Sequence, residues 1–201
     1  GGRWIVTAGS DRVARVWDAT GQPVATFEHA DAVEMVAFSP DGKTLVAGCR
    51  DGTVSIWDIR TTIARERDLS SKIHSIAVAS DNTVAAATDD SRVTLWREAT
   101  STVLDGDLGR ALAVAFSPDG ALLASASESE DGKVLLWDAR TRQKIRGHAG
   151  GKGSVRALAF SPDGATLATG DDVGVLRLWS TRTGELLRAK LSLADGLRRG
   201  G

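Results

Sequence analysis

The stretch Val33-Glu34-Met35-Val36-Ala37-Phe38-Ser39-Pro40-Asp41-Gly42, closed by Thr53-Val54-Ser55-Ile56-Trp57-Asp58, decides the fold of this chain. Its first half is short, apolar and rich in branched and small residues. It stops at a turn with a mechanism: Pro presets φ, Asp bonds nearby backbone, and Gly accepts positive φ. The stretch recurs. Ser117-Pro118-Asp119-Gly120 and Ser161-Pro162-Asp163-Gly164 are identical turns, and Ser80-Asp81-Asn82 is a worn copy. Each follows an apolar run, with Ala37, Ala77, Ala115 and Ala159 in one register. Alanine suits a place where strands crowd or line a narrow channel. Five of the six tryptophans keep the same beat: Trp17, Trp57, Trp96, Trp137 and Trp179, at gaps of 40, 39, 41 and 42. A period near 40 marks an array of supersecondary units.

Alternation in Thr53–Trp57 and in Arg92-Val93-Thr94-Leu95-Trp96 has period 2, the strand period. The Ala-rich Thr83–Ala87 reads as a buried strand because it is short and bounded by turns. In the second unit the strands fall at 33–38, 44–49, 53–58 and 62–67. The full units span 33–70, 73–107, 111–148 and 155–190. The chain opens out of phase, with 3–8, 12–17 and 23–28 matching the second to fourth strands of a unit. The expectation is therefore 19 strands, with the innermost strand of the opening unit missing, in one segment over 1–192 followed by a polar tail at 193–201.

Composition narrows the function. The 201 residues carry 25 basic and 26 acidic side chains, a formal charge of −1. That balance leaves no electrostatic footprint for nucleic acid or an anionic membrane. No apolar run approaches the roughly 18 residues of a spanning helix. A single cysteine, Cys49, excludes an internal disulfide and a cysteine metal cluster. His29, His74 and His148 have no His or Cys at i+3 or i+4, so the local metal signature is absent. Gly150-Gly151-Lys152-Gly153-Ser154 is no phosphate loop, because Arg146 and Gly153 stand where Gly and Ser/Thr are needed. A calcium loop over Ser127–Asp138 fails as well, with Ser127 and Ser129 in place of carboxylates. No Gly-x-Ser-x-Gly elbow is present. Neither a metal nor a cofactor is expected. The chain starts Gly1-Gly2 and its one methionine is Met35, so it is expected to be a piece of a longer polypeptide. Absence of a signal peptide implies a cytoplasmic location, and the Arg- and Ala-rich, Tyr-free composition a bacterial source.

At these residues the sequence resembles the WD40 repeat family. Trp17-Asp18, Trp57-Asp58 and Trp137-Asp138 carry the naming dipeptide, while Trp96-Arg97 and Trp179-Ser180 lose the aspartate. Gly147-His148 matches the family's Gly-His pair, and Glu28-His29 keeps the histidine. The resemblance implies an all-β propeller of four-stranded blades. At about four and three quarter blades, the chain is expected to be an open arc of a larger, seven-bladed ring. It also implies a buried chain linking the tryptophan, a Ser/Thr, an Asp six residues before the tryptophan, and the His. Asp11, Asp51, Asp90 and Asp131 hold that place, and Val173 stands there in the last unit, with Asp172 one residue earlier. A buried carboxylate costs several kcal/mol unless its lone pairs are filled, so these residues read as structural, and the networks as incomplete in most blades. Cys49, where the family often has Ser or Thr, reads as a buried inert thiol.

The function so implied is a non-catalytic protein-interaction platform, expected as the interaction or regulatory segment of a larger polypeptide such as a multidomain kinase or ATPase. Its binding face would use the loops at Arg50, Lys72, Asp89, Arg110, Glu130, Arg156 and Asp171, with Glu34 and His74 at the channel mouth. Mixed charge fits a protein or peptide partner. Uncovered blade edges invite self-association. The alternative is a propeller hydrolase or lyase with a channel-mouth site.

Overall fold

The computed structural model describes residues 4–61, 64–97, 100–104, 109–129, 131–149 and 153–189. Its 19 strands form five antiparallel sheets. The first sheet holds β1 (Trp4–Ala8), β2 (Val13–Asp18) and β3 (Pro23–Glu28). The second holds β4 (Val33–Phe38), β5 (Thr44–Cys49), β6 (Thr53–Asp58) and β7 (Ala64–Asp68). The third runs β8 (Ile73–Val78), β9 (Val84–Thr88), β10 (Val93–Arg97) and β11 (Thr100–Leu104). β12 (Ala111–Phe116), β13 (Leu122–Ser127), β14 (Lys133–Asp138) and β15 (Lys144–Ala149) make the fourth. The fifth is β16 (Val155–Phe160), β17 (Thr166–Asp171), β18 (Leu176–Ser180) and β19 (Leu186–Ala189). Every sheet is a meander, so each strand pairs with its neighbour in sequence. The expected strand set is present, with the fourth strand of the second unit described from Ala64; residues 62 and 63 of its expected range lie outside the described residues.

The Ser-Pro-Asp-Gly turns explain where the first strand of a blade ends. Ser39 Oγ donates to Asp41 Oδ1 (2.6 Å), the Gly42 N–H to the Ser39 carbonyl (2.8 Å), and the Ser39 N–H to the Thr44 carbonyl (2.8 Å). The set repeats at Ser117–Leu122 and Ser161–Thr166. Gly42, Gly120 and Gly164 all have φ near +70°, the left-handed region. In the worn copy Asn82 takes that conformation at φ 63°, which its short polar side chain tolerates. The third blade thus closes the same turn with other residues.

Blades stack in chain order through their faces. Ala113, Ala124, Ala126, Val134 and Leu136 of the fourth pack against Val155, Leu167 and Trp179 of the fifth. The same exchange joins the third and fourth blades around Ala85, Val93, Leu95, Leu123, Leu135 and Trp137. Alanines at the crowded positions let neighbouring sheets approach closely. No comparable packing joins the first sheet to the fifth, so the described sheets form an open arc. The ends show it: Ile5 is 54% exposed, whereas its register equivalents Leu45 and Leu123 are fully buried.

Candidate functional site

One feature recurs at the inner end of every complete blade. The ladder between first and second strands skips one residue each time: Glu34, His74, Leu112 and Arg156. A bulge leaves that residue unpaired and re-aims its side chain. The residue just past the second strand then donates its N–H back across the blade: Arg50 to the Ala32 carbonyl, Asp89 to Lys72, Glu128 to Arg110, and Asp172 to Ser154, all at 2.7–3.0 Å. Side chains of the two places meet. Arg50 Nε lies 3.1 Å from Glu34 Oε1, His74 Nε2 2.6 Å from Asp89 Oδ1, and Arg156 Nη2 3.4 Å from Asp172 Oδ2.

The fourth blade departs from this pattern at its bulge and extends the row. Leu112 is buried at the bulge, and Arg110 substitutes for it, with Nη1 3.0 Å from Glu128 Oε2 and Nε 2.8 Å from Asp89 Oδ1. Asp89 therefore binds His74 of its own blade and Arg110 of the next. The His74 hydrogen bond is the main cause that holds its carboxyl below the usual range; desolvation, next in size, opposes it, and the Arg110, His74 and Lys72 charges add to the lowering. The rim pairs a base with an acid in each of these blades: acid precedes base in the second, and base precedes acid in the third, fourth and fifth.

All but one of the sequence candidates lie among the described residues. Glu34, Arg50, Lys72, His74, Asp89, Arg110 and Arg156 gather on this rim. Glu130 lies outside the described residues. Asp171 stands apart: its side chain is buried, accepts the Val175 N–H (2.7 Å) and pairs with Arg177 (2.5 Å). Burial pushes that carboxyl up, and the Arg177 and Val175 hydrogen bonds more than reverse it. Sequence reasoning passed over Glu128 and Asp172 as rim acids. For Asp172 the signal was available as an opposite charge 16 residues after the bulge position Arg156; Glu128 has no such signal, because the bulge residue of its blade is the uncharged Leu112.

The tryptophan network takes a shorter form than the resemblance implied. Trp17, Trp137 and Trp179 donate Nε1–H to Thr7, Ser125 and Thr169 at 2.8–3.0 Å. The second blade has Ala47 there, and Trp57 donates instead to His29 Nε2 (3.3 Å). In the third blade Trp96 is buried and faces Ala86 at that register. His148 stacks on Trp179 at 5.2 Å. The aspartates serve their turns: Asp11 pairs with Arg15, Asp51 accepts the Thr53 N–H, and Asp90 accepts from Thr88 Oγ1. Asp131 sits in the corresponding turn of the fourth blade. Among the described residues no His–Asp bond completes the four-membered chain. The hydroxyl satisfies the indole in three blades, and a turn N–H or cation takes the carboxylate. Cys49 is buried, and desolvation pushes its thiol up to about 12. No group of three or more His, Cys, Asp or Glu suited to a metal occurs among the described residues.

Comparison with known proteins agrees with this geometry. The family model "WD domain, G-beta repeat" matches residues 1–18, 21–58, 100–138 and 140–180. It leaves out residues 59–99, which hold β7 and the first three strands of the third blade, where neither a Trp-Asp pair nor the Ser-Pro-Asp-Gly turn occurs. Serine-threonine kinase receptor-associated protein of Mus musculus is 28% identical over 89% of this chain. The Homo sapiens protein of that name is 27% identical over the same share. This chain spans 64% of the length of either. Apoptotic protease-activating factor 1 of Rattus norvegicus is 29% identical over 84% of this chain and 14% of its own length. With the repeat matched over most of its length and the blades built to that repeat, the chain belongs to the WD40 repeat family.

Proposed function

We propose that this chain is a non-catalytic platform that binds a protein or peptide through the charged rim. The observation that carries the reading is the continuous set His74, Asp89, Arg110 and Glu128 across two blades, flanked by Glu34–Arg50 and Arg156–Asp172. Bulges and cross-blade backbone bonds fix these side chains on a rigid sheet end. Fixed groups lose little entropy when a partner docks. Mixed sign favours a partner of complementary mixed charge over the uniform phosphates of nucleic acid or an anionic membrane.

The relatives support a wider setting. In apoptotic protease-activating factor 1 the matched part is a small fraction of a long polypeptide, which fits a regulatory segment here, working in the cytoplasm as part of a seven-bladed ring. The named relatives are eukaryotic; a bacterial source rests on composition alone. The test is affinity capture with the wild-type chain and with Asp89→Lys/Arg110→Glu. A partner held by the wild type and weakened about tenfold or more by the double reversal supports the rim. A partner indifferent to the rim, or a turnover activity in the purified chain, overturns it.

A further inference from the structure

In three of the four junctions between successive blades, a ring or an aliphatic side chain of the last strand covers the next tryptophan. Phe27 of the first blade lies on Trp57 with ring centroids 4.9 Å apart. Leu104 of the third is buried in one cluster with Trp137, and His148 of the fourth stacks on Trp179. The register places Arg67 at the corresponding position of the second blade, opposite Val54, and Arg65 two residues before it, opposite Ile56. The first blade has Ala25 at the place of Arg65, and the third has Thr102. Two arginines do not close the junction as these side chains do. A cleft of about 370 Å³ lies between the second and third blades, lined by Ile56, Trp96, Arg65, Arg67 and Arg97.

A second cleft, of about 320 Å³, follows between the third and fourth blades. Arg97 lines this one too, with Arg140 and Arg142. Both clefts lie at the end of the blades that bears the first-strand turns, with Asp81 and Asn82 at the first and Asp119 and Gly120 at the second. The charged rim is at the opposite end of the strands. Four aspartates share the cleft surface, and each serves its own turn. Asp58 accepts the Arg60 and Thr61 N–H groups, and Asp81 the Thr83 N–H. Asp119 accepts the Ser117 hydroxyl and the Ala121 N–H, and Asp138 the Arg140 and Thr141 N–H groups. Arg65, Arg97 and Arg140, by contrast, are exposed, and Arg97 meets Asp81 at 3.4 Å. Arg142 crosses the junction and donates through Nη1 to Thr102 Oγ1. A guanidinium carries five donors in a planar fork that matches a carboxylate.

We propose that these two clefts bind an acidic, extended segment of a partner protein. One glutamate enters the first cleft, lays its methylene stem on Ile56 and Trp96, and brings its carboxylate to Arg65 and Arg97. A second acidic side chain farther along the segment meets Arg97, Arg140 and Arg142. Arg97, shared by both clefts, makes them one continuous site. Glutamate fits the first cleft better than aspartate because its longer stem covers the apolar floor while its carboxylate reaches the guanidinium groups. The site is separate from the charged rim and does not rest on it.

The test is the fluorescence anisotropy of labelled hexaglutamate titrated with the whole chain. The expected result is saturable binding, weakened about tenfold by Arg65→Gln/Arg97→Gln and also by Arg140→Gln, with urea midpoints close to the wild type. Arg140 is exposed at the far cleft, so its variant still tests the site should the double variant fold poorly. The rim variant Asp89→Lys/Arg110→Glu is expected to bind hexaglutamate as the wild type does, and hexa-aspartate to bind less tightly than hexaglutamate. Absence of binding, or binding that the arginine variants leave unchanged, overturns the proposal. Binding lost only in the rim variant places the peptide on the rim and overturns it too. An oligothymidylate of equal charge, bound as tightly through the same arginines, assigns the clefts to nucleic acid and likewise overturns it.

Discussion

The indole bonds are the sharpest test of how single residues hold a blade. Ser125 and Trp137 are both buried, and their 2.8 Å bond joins adjacent strands of one sheet. Ser125→Ala leaves the indole N–H in a dry site without its acceptor. The expected loss is about 1–3 kcal/mol, read as a lower urea midpoint at unchanged slope. Thr7→Val deletes the same kind of bond in the exposed first blade, where water replaces the hydroxyl, and is expected to cost much less. His29 gives a pH test. Its Nε2 accepts from Trp57 and its Nδ1 lies 3.1 Å from the Phe27 carbonyl, an arrangement for the neutral ring. Desolvation depresses its pKa below 6.5, and burial does the same for His148. The unfolded chain therefore takes up these protons first. Stability is full above pH 6.5 and falls as pH drops toward the folded values. The turn aspartates Asp41, Asp119 and Asp163, lowered chiefly by Ser39, Ser117 and Ser161, act in a separate window below 3.8. His29→Gln keeps an acceptor for Trp57 and is expected to flatten the melting temperature between pH 7 and 5. An unchanged slope would contradict this assignment.

At the scale of elements, the third blade shows what a repeat needs. It lost the Trp-Asp pair, the proline-glycine turn and the hydroxyl beneath its tryptophan, yet keeps four strands in register. Packing of Ala85, Ala87, Val93 and Leu95 against the fourth blade sustains it. Its deficit is local and correctable. Ala86 opposes Thr94 as Ser125 opposes Leu135, so Ala86→Ser places a hydroxyl at the Trp96 indole. That variant is expected to gain about 0.5–1.5 kcal/mol in urea unfolding, and a loss would show that the site is too tight for an oxygen. The strands were legible because turn chemistry and tryptophan spacing are local signals. The rim was legible in part. Arg50, His74 and Asp89 could be placed at one end of the blades, but their pairing depends on a bulge, which leaves no mark on an alternating pattern. Asp171 shows the opposite failure. It ends a strand as the loop residues do, and only its contact with Arg177 places it inside the turn.

Across the whole molecule, the two ends of the arc are the halves of an interface it forms internally. Leu176 on the fifth blade holds the register of Val134, which the fifth blade buries completely; Leu176 itself is 41% exposed. Ala157 and Ala159, equivalents of Ala113 and Ala115, are likewise exposed. At the other end, Ile5 and the half-buried Trp17 repeat the positions of Leu167 and Trp179, which pack against such a face. A front face at one end and a rear face at the other make a head-to-tail contact. That contact uses two different surfaces, so it continues until a ring closes or a fibre grows. The 21.1 kDa chain is therefore expected to scatter light as concentration-dependent oligomers. Leu176→Glu puts a charge on the front face at a site already in solvent, and is expected to shift the distribution to the monomer without lowering the urea midpoint. A monodisperse monomer of the unmodified chain across the concentration range would show that the apolar ends do not recognise each other. The half-built first blade would then be the cause, because the rear face there lacks the counterparts of Val155, Leu158 and Phe160 that complete it in the fifth.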